Sequence, residues 1–177
     1  MRGLAATLAD WLDAVGLVRP SLVANSFGCQ IAVELAVARP ERVAALVLVG
    51  PTVDMYARSL PRQFARLVLD SVREPPGLLA LIVLDYSIFV LRRGAPLVRA
   101  MLSDRLEENL PHVLQPTLVV RGSRDAIVSQ PWAEKASALL PHGEMCVVDG
   151  AAHAVNYADP DALARVVCAF LGRAREP

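Results

Sequence analysis

The stretch Leu22-Val23-Ala24-Asn25-Ser26-Phe27-Gly28-Cys29-Gln30-Ile31-Ala32 decides how the rest of this chain is read. A short apolar, β-prone run passes through small residues into a largely apolar helical pattern, so a strand must turn sharply into a helix at Ser26. Such a turn strains the backbone of its central residue and leaves little room two residues to either side, a demand that Ala24 and Gly28 meet. A serine on that corner is a candidate nucleophile. It is equally an ordinary helix N-cap, so the corner needs partners before it carries a function.

Two further strand ends supply them. Pro116-Thr117-Leu118-Val119-Val120-Arg121-Gly122-Ser123-Arg124-Asp125 is an apolar strand running into a Gly-x-x-Asp loop, and Val147-Val148-Asp149-Gly150-Ala151-Ala152-His153 is a second strand running into a loop histidine. Each piece alone reads as a plain turn or a plain loop histidine. The chain order Ser26, Asp125, His153, with each residue at the end of a strand, resembles the C-terminal half of the α/β-hydrolase superfamily over residues from about 20 to 173. The resemblance implies that Ser26 attacks a carbonyl, that His153 takes and returns the proton, that Asp125 orients the ring, and that Phe27 N–H is an oxyanion donor. The corner departs from the superfamily's common Gly-x-Ser-x-Gly-Gly at Ala24 and Cys29, both small enough to keep it passable.

Around this frame the pattern predicts an amphipathic opening helix carrying Leu4, Leu8, Leu12 and Val15 and stopped by Gly16, then strands at 21–25, 43–49, 117–120 and 145–148. Helices are expected at 27–38 and 131–140, with a last one entered through Asp159-Pro160. Strands alternating with helices give an α/β fold, a parallel sheet with helices on both faces. Between Pro51 and Pro116 the strand pattern stops and proline-punctuated helical segments take over. Residues 1–51 and 114–177 therefore read as a partial α/β-hydrolase core and 52–113 as a helical cap insertion. The resemblance implies that this cap lies over Ser26; its Phe64, Leu78, Leu79, Ile82, Tyr86, Ile88 and Phe89 favour a small apolar acyl-type substrate.

The resemblance also implies about four earlier strands and a His-Gly-type loop supplying a second oxyanion donor, neither of which this sequence shows. An unpaired outer edge on strand 21–25 would follow, open to self-association. Tyr86 and Trp132 are candidate substrate contacts, with core or cap packing at least as good a reading for each.

Composition narrows the function classes. With 54% hydrophobic and 20% charged residues and a formal net charge of zero over 177 residues, there is neither a basic stripe for nucleic acid nor a charged tail. The apolar run from Leu78 to Leu91 is too short to span a bilayer and contains Asp85, which suits a buried or cleft-lining helix. No secretory leader is visible, and Cys29, Cys146 and Cys168 read as reduced thiols of a cytoplasmic protein. Cys29 is a packing residue before it is a reactive thiol, and Asp149 ranks below Asp125 as the acid. His112 and His142 lack metal-ligand spacing. The expectation is a serine hydrolase of an ester, lactone, amide or similar acyl bond, impaired by the absence of the upstream strands and oxyanion loop, without metal or organic cofactor. The alternative is a non-catalytic half-domain needing a partner chain.

Overall fold

Strands β1 (Leu22–Asn25), β2 (Leu46–Val49), β3 (Thr117–Gly122) and β4 (Gly143–Val148) form one parallel sheet in the order of the sequence. The register is regular, with Leu22 beside Leu46, Leu46 beside Thr117 and Thr117 beside Gly143. The computed structural model describes residues 1–78, 80, 81, 84 and 94–174. Among them no helix is long and apolar enough to cross a membrane.

Alternating side chains divide the sheet into two covered faces. Leu46, Leu48 and Val119 pack in one cluster with α1 (Arg2–Ala14), α2 (Gly28–Ala38) and α6 (Gln130–Leu139). Val47, Val49, Leu118, Val120 and Val148 pack in the other, where α8 (Pro160–Arg173), which follows the short α7 (Val155–Ala158), contributes Leu163 and Phe170. All four residues of β2 and all six of β3 are buried, as strands covered on both faces must be. Asp159 caps α8 by accepting from Ala162 N–H at 2.9 Å, and Ser129 caps α6 by accepting from Trp132 N–H.

Three boundaries differ from the sequence pattern. β2 begins at Leu46, three residues later than the β-prone run, because Pro40–Arg42 forms a short 3-10 turn and the chain is still arriving at the sheet. α1 turns Ala5, Ala9 and Leu12 inward and leaves Leu4, Trp11 and Val15 exposed. Alanine methyls allow α1 to lie close against α2, so Ala5 and Ala9 share with Leu12 and the partly buried Leu8 the interface that the leucine stripe was expected to fill. Third, segment 52–113 contains helices and, among the described residues, no strand: α3 (Leu60–Ser71), α4 (Gly94–Ser103) and α5 (Leu106–Asn109). Its last part already belongs to the core, since Leu106, Leu110 and Val113 are buried in the cluster under β2. Of the apolar run 78–91, only Leu78, Ala80, Leu81 and Leu84 are described; Leu79, Ile82, Asp85, Tyr86, Ile88 and Phe89 lie outside the described residues.

Candidate active site

Ser26 follows the last residue of β1 with φ 52°, the one non-glycine among the described residues with positive φ. Its N–H donates to Val49 O at 2.8 Å, extending the β1–β2 ladder one residue into the corner. A β-carbon added to Gly28 would meet Ala24 Cβ at 3.9 Å, ordinary contact, so the corner has room for a methyl. Cys29 is fully buried and gives its S–H to Ala24 O and Val49 O. Burial pushes its thiol strongly upward, so it is a packing group rather than a thiolate.

The loops after β3 and β4 bring the other two residues to this corner. His153 Nε2 lies 2.9 Å from Ser26 Oγ, and His153 Nδ1 lies 2.9 Å from Asp125 Oδ2. The remaining Asp125 oxygen, Oδ1, accepts from Ile127 N–H and Val128 N–H at 2.8 Å each, so one face of the carboxylate is fixed and the other is presented to the ring. Burial alone would push His153 down; the hydrogen bond and charge of Asp125, joined by the charges of Asp70 and Glu74, outweigh it and hold the ring above the ordinary histidine range.

Two glycines make this approach sterically feasible. A β-carbon on Gly122 would stand 2.2 Å from Ala152 O and 2.4 Å from Ala151 O, so only glycine lets the His153 loop lie against the end of β3. A β-carbon on Gly50, at φ 54°, would stand 2.8 Å from His153 Cε1 and 2.9 Å from Nδ1. Arg121 gathers the acid loop from inside, donating to Val128 O at 2.7 Å and Asp125 O at 2.8 Å. Neither glycine's role nor that of Arg121 was read from the sequence, although an arginine ending an apolar strand was a visible signal.

A cavity of about 400 Å³ opens beside Ser26, bounded by Phe27, Thr52, Leu67, Leu97, Met101 and Ile127 among others. Phe27 N–H has no hydrogen-bond partner among the described residues. The same holds for the buried hydroxyl of Thr52. Trp132 requires a correction. It is fully buried in the core, its Nε1–H donates to Pro51 O at 2.8 Å, and it does not line the cavity. Its indole is satisfied by the fold and has nothing left for a substrate. Tyr86 lies outside the described residues. Asp149 is exposed and accepts from Ser123 Oγ at 3.0 Å, away from the ring. His112 and His142 are exposed, and no group of three or more metal-ligating side chains occurs among the described residues.

Comparisons with known proteins bear on the family and the fold. A model of the alpha/beta hydrolase family matches residues 2–166. Polyketide synthase ThaQ of Burkholderia thailandensis is 33% identical over 195 residues, which cover 94% of this chain but 9% of that protein. A 2-hydroxy-6-oxononadienedioate/2-hydroxy-6-oxononatrienedioate hydrolase of Pseudomonas putida is 27% identical, over 94% of this chain and 68% of its own. The crystal structure of a membrane phospholipase A, a bacterial virulence factor, superposes with a TM-score of 0.78 at 24% identity, over 98% of this chain and 63% of that one. At that identity the likeness is one of fold.

Proposed function

This chain belongs to the alpha/beta hydrolase family, and from that premise we propose that it is a serine hydrolase acting on an ester, lactone, amide or similar acyl bond through an acyl-enzyme. One observation carries the reading: His153 reaches Ser26 with one ring nitrogen and Asp125 with the other, each at 2.9 Å. With Nδ1–H donated to Asp125, Nε2 is the free base that takes the Ser26 proton as Oγ adds to the substrate carbonyl carbon. The carbonyl oxygen gains the electron pair and meets Phe27 N–H. Collapse breaks the bond to the leaving group, which takes the proton from Nε2, and water then repeats the sequence to release the acid.

The part of residues 52–113 that precedes Leu106 acts as the cap in this reading. Leu67 of α3 and Leu97 and Met101 of α4 give the cavity apolar walls, which suits a small apolar acyl group. Thr52 adds a second polar group next to Ser26. Free thiols at Cys29, Cys146 and Cys168 suit a cytoplasmic setting. The second reading, a half-domain that works only with a partner chain, is favoured by one feature: β1 is the outer strand among the described residues and its Val23 is 52% exposed. Self-association through that edge belongs to the same reading.

A fluorophosphonate probe tests the proposal. Labelling is expected at Ser26 and lost in Ser26→Ala with the fold intact by circular dichroism. Labelling that survives the substitution would show that another residue is the nucleophile.

A further inference from the structure

Four side chains from α3 and the turn after it reach the two loops that carry Asp125 and His153. Arg66 donates to Ile127 O and Arg73 to Arg124 O, both at 2.9 Å. Asp70 Oδ1 accepts from Ala126 N–H at 3.0 Å, and Glu74 Oε1 accepts from Ala154 N–H at 2.6 Å. Positions 66, 70, 73 and 74 share one helical face, and the chain stays coiled beyond α3 because Arg73 and Glu74 N–H both return to Asp70 O. The four contacts bracket Asp125 on both sides and grip the residue directly after His153.

Asp70 and Glu74 are only 3% and 8% exposed, and Glu74 Oε2 has no partner among the described residues. Two buried carboxylates one turn apart, beside a third at Asp125, are costly for a fold to keep. Apolar residues would fill the same volume without that cost, and the backbone N–H groups they satisfy lie immediately next to the site residues.

We propose that Asp70 and Glu74 are positioning residues: they pin the main chain directly after Asp125 and directly after His153, and set negative charge near the imidazole that becomes a cation in the reaction. The proposal rests on the hydrolase reading above. Three carboxylates influence the ring, Asp125 from the loop after β3 and Asp70 and Glu74 from the α3 side. Cations on the same elements are engaged elsewhere, Arg121 on Asp125 O, Arg73 on Arg124 O and Arg66 on Asp54 and Ile127 O. All three carboxylates push His153 upward, and burial pushes Asp70 itself up to about 6. Ionised Asp70 therefore burdens the fold as pH rises through that value while helping the imidazolium.

The test is the rate of fluorophosphonate labelling against pH, together with melting temperature, for the parent, Asp70→Asn, Glu74→Gln and the two alanine variants. The isosteric amides keep an acceptor oxygen but lose the charge. They are expected to label about tenfold slower, the equivalent of one pKa unit. Their acid limb should move to lower pH, because a ring with fewer negative neighbours loses its proton sooner. Asp70→Asn should melt no lower than the parent above pH 6. The alanine variants, which lose the clamp as well, should slow about 100-fold. Asn and Gln variants with the parent's rate and the parent's acid limb would overturn the proposal even if alanine lowers the melting temperature, since that is a purely structural contact. A parent that takes no label overturns the hydrolase reading and this proposal with it.

Discussion

The two sides of the site are held very differently. Asp125 and His153 hang from β3 and β4, and the acid is gripped by Ile127 and Val128 N–H, by Arg121 from within and by α3 from above. Ser26 hangs from β1, a four-residue strand with one neighbour among the described residues, and the chain leading to it exposes Trp11, Val15, Val18 and Val23. Ser26 and His153, the nucleophile and base of the proposed reading, are thus brought to hydrogen-bonding distance by supports of unequal strength. On the Asp125 and His153 side, β-carbons at Gly50 and Gly122 would clash, so little change of shape is possible there, whereas Ser26 follows an edge strand of the described sheet.

The largest expected effect removes the base altogether: His153→Ala should slow ester turnover or Ser26 labelling by about 10⁶-fold, as loss of the base in such a set does. Next comes a paired substitution that separates the two sides. Gly50→Ala forces a methyl into the ring of His153 in a left-handed backbone and should cost about 100-fold in rate. Gly28→Ala, with its 3.9 Å contact to Ala24, should stay within a few-fold. Equal losses in both would erase the contrast.

A third prediction concerns stability. Asp54 is fully buried and accepts from Tyr56 N–H, Ser129 N–H and Arg66. Burial alone would raise its carboxyl, but the bonds from Ser129, Arg66 and Tyr56 hold it below the ordinary range. A lowered carboxyl gives stability that is present above its unfolded pKa and lost as pH falls through the folded one. Asp54→Ala should therefore cost on the order of 3 kcal/mol in chemical denaturation at neutral pH, and less in acid. Rate against pH should show the complementary trend for His153: activity needs the neutral ring, so kcat/KM should rise through a midpoint above the ordinary value of about 6.5. A midpoint at or below that value would contradict the carboxylate environment described for the ring. The smallest effect is expected at the nucleophile edge, where Val23→Lys should leave the melting temperature nearly unchanged but reduce concentration-dependent association in sedimentation experiments. A parent that is monomeric at all concentrations would show that the edge is closed to other copies of the chain.

What could be read from the sequence was what lies in one continuous stretch. Each of Ser26, Asp125 and His153 lies within a few residues of the end of a strand whose apolar run is contiguous, so its place beside the sheet was written next to it. α1 was harder, because leucines and alanines both recur at helical spacing and only close packing against α2 selects Ala5 and Ala9. Trp132 misled for a related reason: an indole suits a pocket and a core equally, and the partner that decides, Pro51 O, lies 81 residues away. Asp70 and Glu74 left no signal at all. On α3 and the turn after it, of mixed composition, they look like solvated charges, and their burial follows from how that segment meets two distant loops.

The acyl-enzyme itself gives the most direct test of the account. The protein would be mixed with a short-chain nitrophenyl ester, quenched in acid within the first turnover, digested, and mapped by mass spectrometry. The acyl group is predicted on the peptide containing Ser26, at Ser26, and absent from Ser26→Ala. An acyl group found instead on Cys146, Cys168 or another serine, with Ser26 unmodified, would contradict it.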